Sequence, residues 1–285
     1  MPTASKPDLF GFEERHLTAS GTRLRYLVGG EGPPLVLVHG LGGLASNWRL
    51  VAPGLATERR VVIPELPGHG GSGRLDGASS LDPFADAVLA VAEAEDALPA
   101  PWVGHSLGGL VALRAAVRRP DALTGIVLAA AAGISSATRT GEATVTLMGI
   151  VRPGRLLGRY RARISRSPLA RTLVFGGWGV ADPAALDPAM AEAFLSGPPQ
   201  HLDTLTAGKA LVASDSRSDL DRVGCPCLCL WGAQDNWVPL QDGMEYARRL
   251  RAPLRVIADC GHLSIGERPD VVTRAVRDFL VTLDR

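Results

Sequence analysis

Long hydrophobic runs are missing from this chain. The longest apolar stretch, Ile126 to Ile134, is far short of the roughly 20 residues needed to cross a bilayer. The N-terminal stretch Met1–Phe10 carries Lys6 and Asp8 and has no apolar centre, so no secretory leader is expected. Charge of one sign is missing too. With 30 Lys and Arg against 29 Asp and Glu the net charge is +1, which gives no global attraction to nucleic acid or to a membrane. Cysteine is scarce, four in 285 residues, too few for a disulfide framework. Cys225, Cys227 and Cys229 alternate, so on a strand they share one face. Thiols two residues apart on a strand stand about 6.5–7 Å apart, too far to chelate one zinc ion. Buried small apolar residues is their expected role. No cluster of metal-ligating residues is read from the spacing. These absences predict a cytoplasmic protein with no transmembrane segment, no nucleic-acid partner, no metal and no cofactor.

The chain has the composition of a soluble globular protein, with a hydrophobic share of 46% and a charged share of 21%. Its 285 residues can bury the core of one large domain. Short apolar runs alternate with helical stretches. A strand pair, Glu13–Thr18 with Thr22–Val28, is followed by strands at Leu35–Val38, Arg60–Ile63, Pro101–Val103, Leu123–Ala130, Cys225–Trp231 and Leu254–Ile257. A helix is predicted over Leu81–Leu98, with Asp82 as N-cap and Pro83 at its first position. Others follow Ser106 and lie around Leu240–Leu250 and Asp270–Leu283. This alternation predicts an α/β fold: a mostly parallel central sheet of about eight strands, flanked by helices. The pattern breaks between Gly133 and about Asp215. We therefore expect a core built from residues 1–133 and 216–285, with 134–215 inserted as a helical cap. From Ile134 to Thr172 there are eight arginines and a single acidic residue, Glu142. A solvated helix face is the ordinary explanation. Attraction of an anionic substrate, carrier or lipid surface is the sharper one.

Gly104-His105-Ser106-Leu107-Gly108 carries the most information. It lies between an apolar strand and a helix, and glycine on both sides lets the backbone turn sharply enough to expose a serine hydroxyl at the sheet edge. A serine needs a base. His262, in Asp259-Cys260-Gly261-His262 after the last strand, would reach the same edge. His39 ends a strand, His69 sits in a Gly/Pro-rich loop, His105 adjoins the serine and should point away, and His16 and His201 have no supporting context. The base needs a carboxylate to orient it. Asp235 follows the Cys225–Trp231 strand, whereas Asp215, Asp219 and Asp221 precede that strand and Asp259 is too near His262 in sequence. A developing oxyanion needs donors. The Leu107 amide is one, and the Leu41 amide, in His39-Gly40-Leu41-Gly42-Gly43, is the other.

The order serine, acid, histidine, together with these motifs, resembles the α/β-hydrolase family, especially its cap-bearing members. Leu66-Pro67-Gly68-His69-Gly70-Gly71-Ser72 is similar to the family's loop after the next strand, with Glu65 where aspartate is commoner. Gly261-His262 with Glu267-Arg268-Pro269 resembles its histidine loop. The resemblance implies a serine hydrolase acting on a small-molecule carboxylic ester of small or medium size, with Ser106, Asp235 and His262 catalytic. Trp48, Phe175, Trp178, Phe194, Trp237 and Val238 are candidate substrate contacts. The same triad could serve carbon–carbon cleavage of diketones, lactone hydrolysis, acyl transfer or a receptor without turnover. One rival comes from another class. Gly40-Leu41-Gly42-Gly43-Leu44-Ala45, with Glu65 further on, imitates a dinucleotide-binding fingerprint. It leaves the three triad candidates unexplained. Substrate identity and oligomeric state are not legible.

Overall fold

The computed structural model describes residues 11–75, 80–136, 157–176 and 179–284. Eight strands form one sheet in the order β1-β2-β4-β3-β5-β6-β7-β8. They are β1 (Glu13–Ala19), β2 (Thr22–Gly29), β3 (Pro34–Val38), β4 (Arg60–Pro64), β5 (Ala100–His105), β6 (Leu123–Ala129), β7 (Cys227–Gly232) and β8 (Leu254–Ile257). The pairs β1–β2 and β2–β4 are antiparallel, and the other five are parallel. The mostly parallel α/β sheet expected from the alternating runs is therefore present.

Alternate residues of each inner strand feed two apolar layers, one per face. Val36, Val38, Trp102, Ile126, Leu128 and Trp231 pack on one side. Leu35, Leu37, Val103, Val127, Leu228 and Leu230 pack on the other. The first layer is covered by α2 (Asp82–Ala94), α3 (Leu107–Arg118) and α8 (Leu240–Leu250), the second by α1 (Ala52–Leu55) and α10 (Pro269–Leu283). Between β6 and β7 lie α4 (Arg161–Arg166), α5 (Pro168–Phe175), α6 (Pro188–Ser196) and α7 (Thr204–Val212). A short α9 (Ser264–Glu267) precedes α10.

Local readings need three corrections. Asp82 is the first helical residue of α2 and its N-cap is Leu81. The Asp82 carboxylate pairs with Arg114 and Arg118 instead, because two guanidiniums outbid the backbone for it. That helix ends at Ala94 rather than Leu98, and Asp96 follows with φ of 47°, outside helical space. β7 starts at Cys227, two residues later than read. Cys227 and Cys229 still lie on one buried face with Cys225 packed beside them, and all four cysteines are free thiols.

Candidate active site

β3, β5, β7 and β8 run parallel, so the loops after them emerge at one edge of the sheet. Ser106 follows β5 directly. Its backbone has φ 53° and ψ −118°, a region an L-residue enters only where the surroundings force it. Those surroundings demand glycine. A Cβ on Gly104 would lie 2.4 Å from the Gly108 carbonyl, and one on Gly108 would lie 2.2 Å from the Val38 oxygen. The serine amide is held by the Ala129 carbonyl of the next strand at 2.9 Å, and Leu107 opens α3 immediately after it.

Three side chains distant in sequence converge at this turn. Ser106 Oγ lies 3.1 Å from His262 Nε2. His262 Nδ1 lies 2.8 Å from Asp235 Oδ2. The second carboxylate oxygen of Asp235 accepts the Trp237 and Val238 amides, each at 2.9 Å, which fixes the carboxylate plane. All three residues are buried. With Asp235 accepting, Nδ1 carries a proton and Nε2 is left as an acceptor facing the serine hydroxyl. Such a chain can withdraw the serine proton and return it to a leaving group.

The histidine loop is held by Glu267, whose carboxylate accepts the amides of Ala181, Gly261 and Leu263 at 2.8, 3.0 and 3.1 Å. Burial raises the pKa of Glu267, against the pull of those three amides. The His262 amide donates to Gly179, in the segment between β6 and β7. The ring of His105, the neighbour of Ser106, packs against that of His262, with centroids 5.1 Å apart. Its Nε2–H donates to the His262 carbonyl at 2.9 Å, and burial drives its pKa down to about 3, so the ring is neutral.

Beside Ser106, residues 40–43 form a tight turn closed by the Gly43 amide on the Gly40 carbonyl at 3.0 Å, with Gly42 at φ +71°. A Cβ on Gly40 would lie 3.2 Å from that of Ser106, so turn and serine are in close contact. Among the described residues neither the Leu41 nor the Leu107 amide has an acceptor.

Other expected contacts fall less evenly. The Trp237 ring lies 5.6 Å from that of His262 and is 53% exposed, so it is open to a ligand. Val238 is buried beside Asp235. Phe194 is buried with its ring against Gly266 of α9. Trp48 and Phe175 are wholly buried in the second apolar layer, as core residues are. Trp178 lies outside the described residues. Glu65, the acid of the dinucleotide-like pattern, is buried and paired with Arg25 at 2.6 Å, and it accepts the Gly71 amide at 2.8 Å. It acts as a brace under the loops.

Sequence reasoning missed His201. It packs against His69, which packs against His39, with ring centroids 5.1 and 5.2 Å apart. Nothing around position 201 signals this, because its partners are 131 and 159 residues away.

The model of the alpha/beta hydrolase family matches residues 35–275. Three curated relatives show the range of similar proteins. The dihydrolipoyllysine-residue acetyltransferase component of the acetoin cleaving system of Pseudomonas putida is 33% identical over 91% of this chain and 67% of its own length. The 2-hydroxymuconate semialdehyde hydrolase of Pseudomonas sp. strain CF600 is 30% identical over 95% of this chain and 94% of its own. The pimeloyl-[acyl-carrier protein] methyl ester esterase of Methylococcus capsulatus is 31% identical over 89% and 96%.

Proposed function

This chain belongs to the alpha/beta hydrolase family, and we propose that within it the protein is a serine hydrolase cleaving carboxylic esters of small or medium size. The observation that carries this reading is the hydrogen-bonded run Ser106–His262–Asp235 at 3.1 and 2.8 Å. Ser106 Oγ attacks the ester carbonyl while His262 Nε2 takes its proton. Asp235 holds the imidazole and stabilises its charged form. The amides of Leu41 and Leu107 receive the oxyanion. His262 then protonates the departing alcohol, and water repeats the sequence to free the acid. Residues 134–215 act as a cap, and Trp237, Phe194 and Val238 border the acyl site.

The relatives differ in printed activity: a methyl ester esterase, an acetyltransferase component, and a hydrolase of a semialdehyde, which is not an ester. Carbon–carbon hydrolysis is therefore the second reading, favoured by that last relative. The test is a panel of p-nitrophenyl esters, lactones and diketones with wild type, Ser106→Ala and Asp235→Asn. Ser106→Ala should lose essentially all turnover, and Asp235→Asn up to about 10⁴ in kcat with its fold intact. A Ser106→Ala rate within tenfold of wild type on every substrate would remove the proposal. Turnover of the diketones alone would replace it by the second reading.

A further inference from the structure

Three imidazoles grip the turn that carries Leu41. His39 Nδ1–H donates to the Gly40 carbonyl at 2.8 Å, while its Nε2 accepts the Leu66 amide at 3.1 Å. His69 Nε2 accepts the Gly42 amide at 3.1 Å, and its Nδ1–H donates to Pro67. His201 Nε2–H donates to the Gly42 carbonyl at 2.8 Å, and its Nδ1 accepts the Gly70 amide at 3.2 Å. An amide N–H can only donate, so each pattern settles one neutral tautomer.

The bonds fall on three consecutive peptide planes. His39 holds the Gly40–Leu41 plane by its oxygen, and the Leu41 N–H lies in the same plane, pointing the opposite way. His69 holds Leu41–Gly42, and His201 holds Gly42–Gly43. Two of these histidines belong to loops at the sheet edge. His201 alone comes from the segment inserted between β6 and β7, just after α6. That segment is docked there by backbone as well. The Leu202 and Asp203 amides donate to the Gly68 carbonyl at 2.9 and 3.0 Å, and a Cβ on Gly68 would lie 2.1 Å from the Asp203 oxygen.

We propose that His201 is a positioning residue: it links the seating of the inserted segment to the aim of the Leu41 amide, so that the oxyanion site is complete only when that segment is docked. This rests on the hydrolase reading above. A peptide plane tilted away from the developing oxyanion costs transition-state stabilisation while leaving ground-state binding nearly alone. The signature is a fall in kcat at constant KM.

The test compares two near-isosteric variants on p-nitrophenyl acetate. His201→Gln keeps a donor where Nε2 stands and so can still hold Gly42. His201→Asn keeps only an acceptor where Nδ1 stands and holds Gly70. The expected result is about a tenfold lower kcat for His201→Asn with KM within twofold, and kcat within threefold of wild type for His201→Gln. Gly197→Ala probes the same contact without touching the histidine. Its Cβ would intrude to 2.8 Å from the Gly42 oxygen and 2.9 Å from His201 Nε2, so its kcat should fall as well, whether or not His201→Asn folds. Equal kcat losses in the Gln and Asn variants, or a wild-type kcat in Gly197→Ala, would each overturn the proposal. Ser106→Ala in the same assay separates the two failures. If it retains activity, the hydrolase reading fails; if it is inactive while His201→Asn is not impaired, only the coupling fails.

Discussion

Mild acid should unfold this protein through histidines that do no chemistry. Burial lowers the pKa of His39 from 6.5 to about 4, that of His105 to about 3, and that of His69 well below 6.5. All three are wholly buried and accept or donate neutral hydrogen bonds. In the unfolded chain each takes up a proton as pH falls through about 6.5. In the folded chain none does so until much lower pH. The unfolded state therefore binds more protons throughout this window, and stability is complete above pH 6.5 and lost as pH falls. Between pH 7 and pH 5 the loss depends only on the unfolded-state value, provided the folded value lies below the window. It comes to about 2 kcal/mol per histidine, or about 5 to 6 kcal/mol in all. That rivals the whole stability of an ordinary domain, about 5–15 kcal/mol. The raised Glu267 offsets a part, and carboxylates with lowered values, such as Asp82, lose their contribution only below this range. Urea unfolding at pH 7, 6 and 5, followed by the fluorescence of the buried Trp48, Trp102 and Trp231, measures it. His105→Gln keeps the donor to His262 and should remove about a third of the pH dependence. A stability change under about 1 kcal/mol between pH 7 and 5 would refute the reasoning.

Gly108→Ala tests the elbow. Its Cβ would meet main-chain oxygen at 2.2 Å, which no side-chain rotation relieves, so we expect a loss of more than about 3 kcal/mol in urea unfolding or no soluble protein. Replacing Arg159, Arg163 and Arg166 together by Glu tests the charge of the inserted segment. All three are exposed, and among the described residues none has a carboxylate partner. kcat/KM should fall for an anionic ester and hold for its neutral analogue; equal changes on both would dispose of an electrostatic role.

Which features could be read from sequence follows from the range over which each is determined. The inner strands announce themselves because burial on both faces leaves continuous apolar runs, as in Leu35–Val38 and Ile126–Ala129. The elbow announces itself because steric exclusion selects glycine at fixed offsets from Ser106. Asp235 and His262 could be found because parallel strands deliver the loops after them to one edge, so the position after a strand stands in for position in space. Asp82 misled because capping is a local competition, decided here by Arg114 and Arg118, which lie 32 and 36 residues away.

The arginines show the opposite limit. Read as a sum, the eight between Ile134 and Thr172 make a strongly basic patch. The structure divides them by what they touch. Arg171 is buried, its guanidinium spent on the carbonyls of Ser165, Pro183 and Ala184, so it staples α5 to the chain after it and offers no charge to a ligand. Arg161 lies 3.7 Å from Glu192 on α6. Arg139, Arg152 and Arg155 lie outside the described residues. Among the described residues, Arg159, Arg163 and Arg166 are the ones of this set left exposed with no carboxylate partner. An arginine's sequence neighbours say nothing about whether it will be buried against carbonyls, paired or left in water, since each fate is decided by contacts across the fold. The same holds for His201, whose two ring nitrogens meet backbone from loops far back in the chain. Catalytic geometry is legible where topology converts sequence position into spatial position. Groups that meet those loops from an inserted segment, as His201 does, have no such conversion, because their partners are set by contacts across the fold.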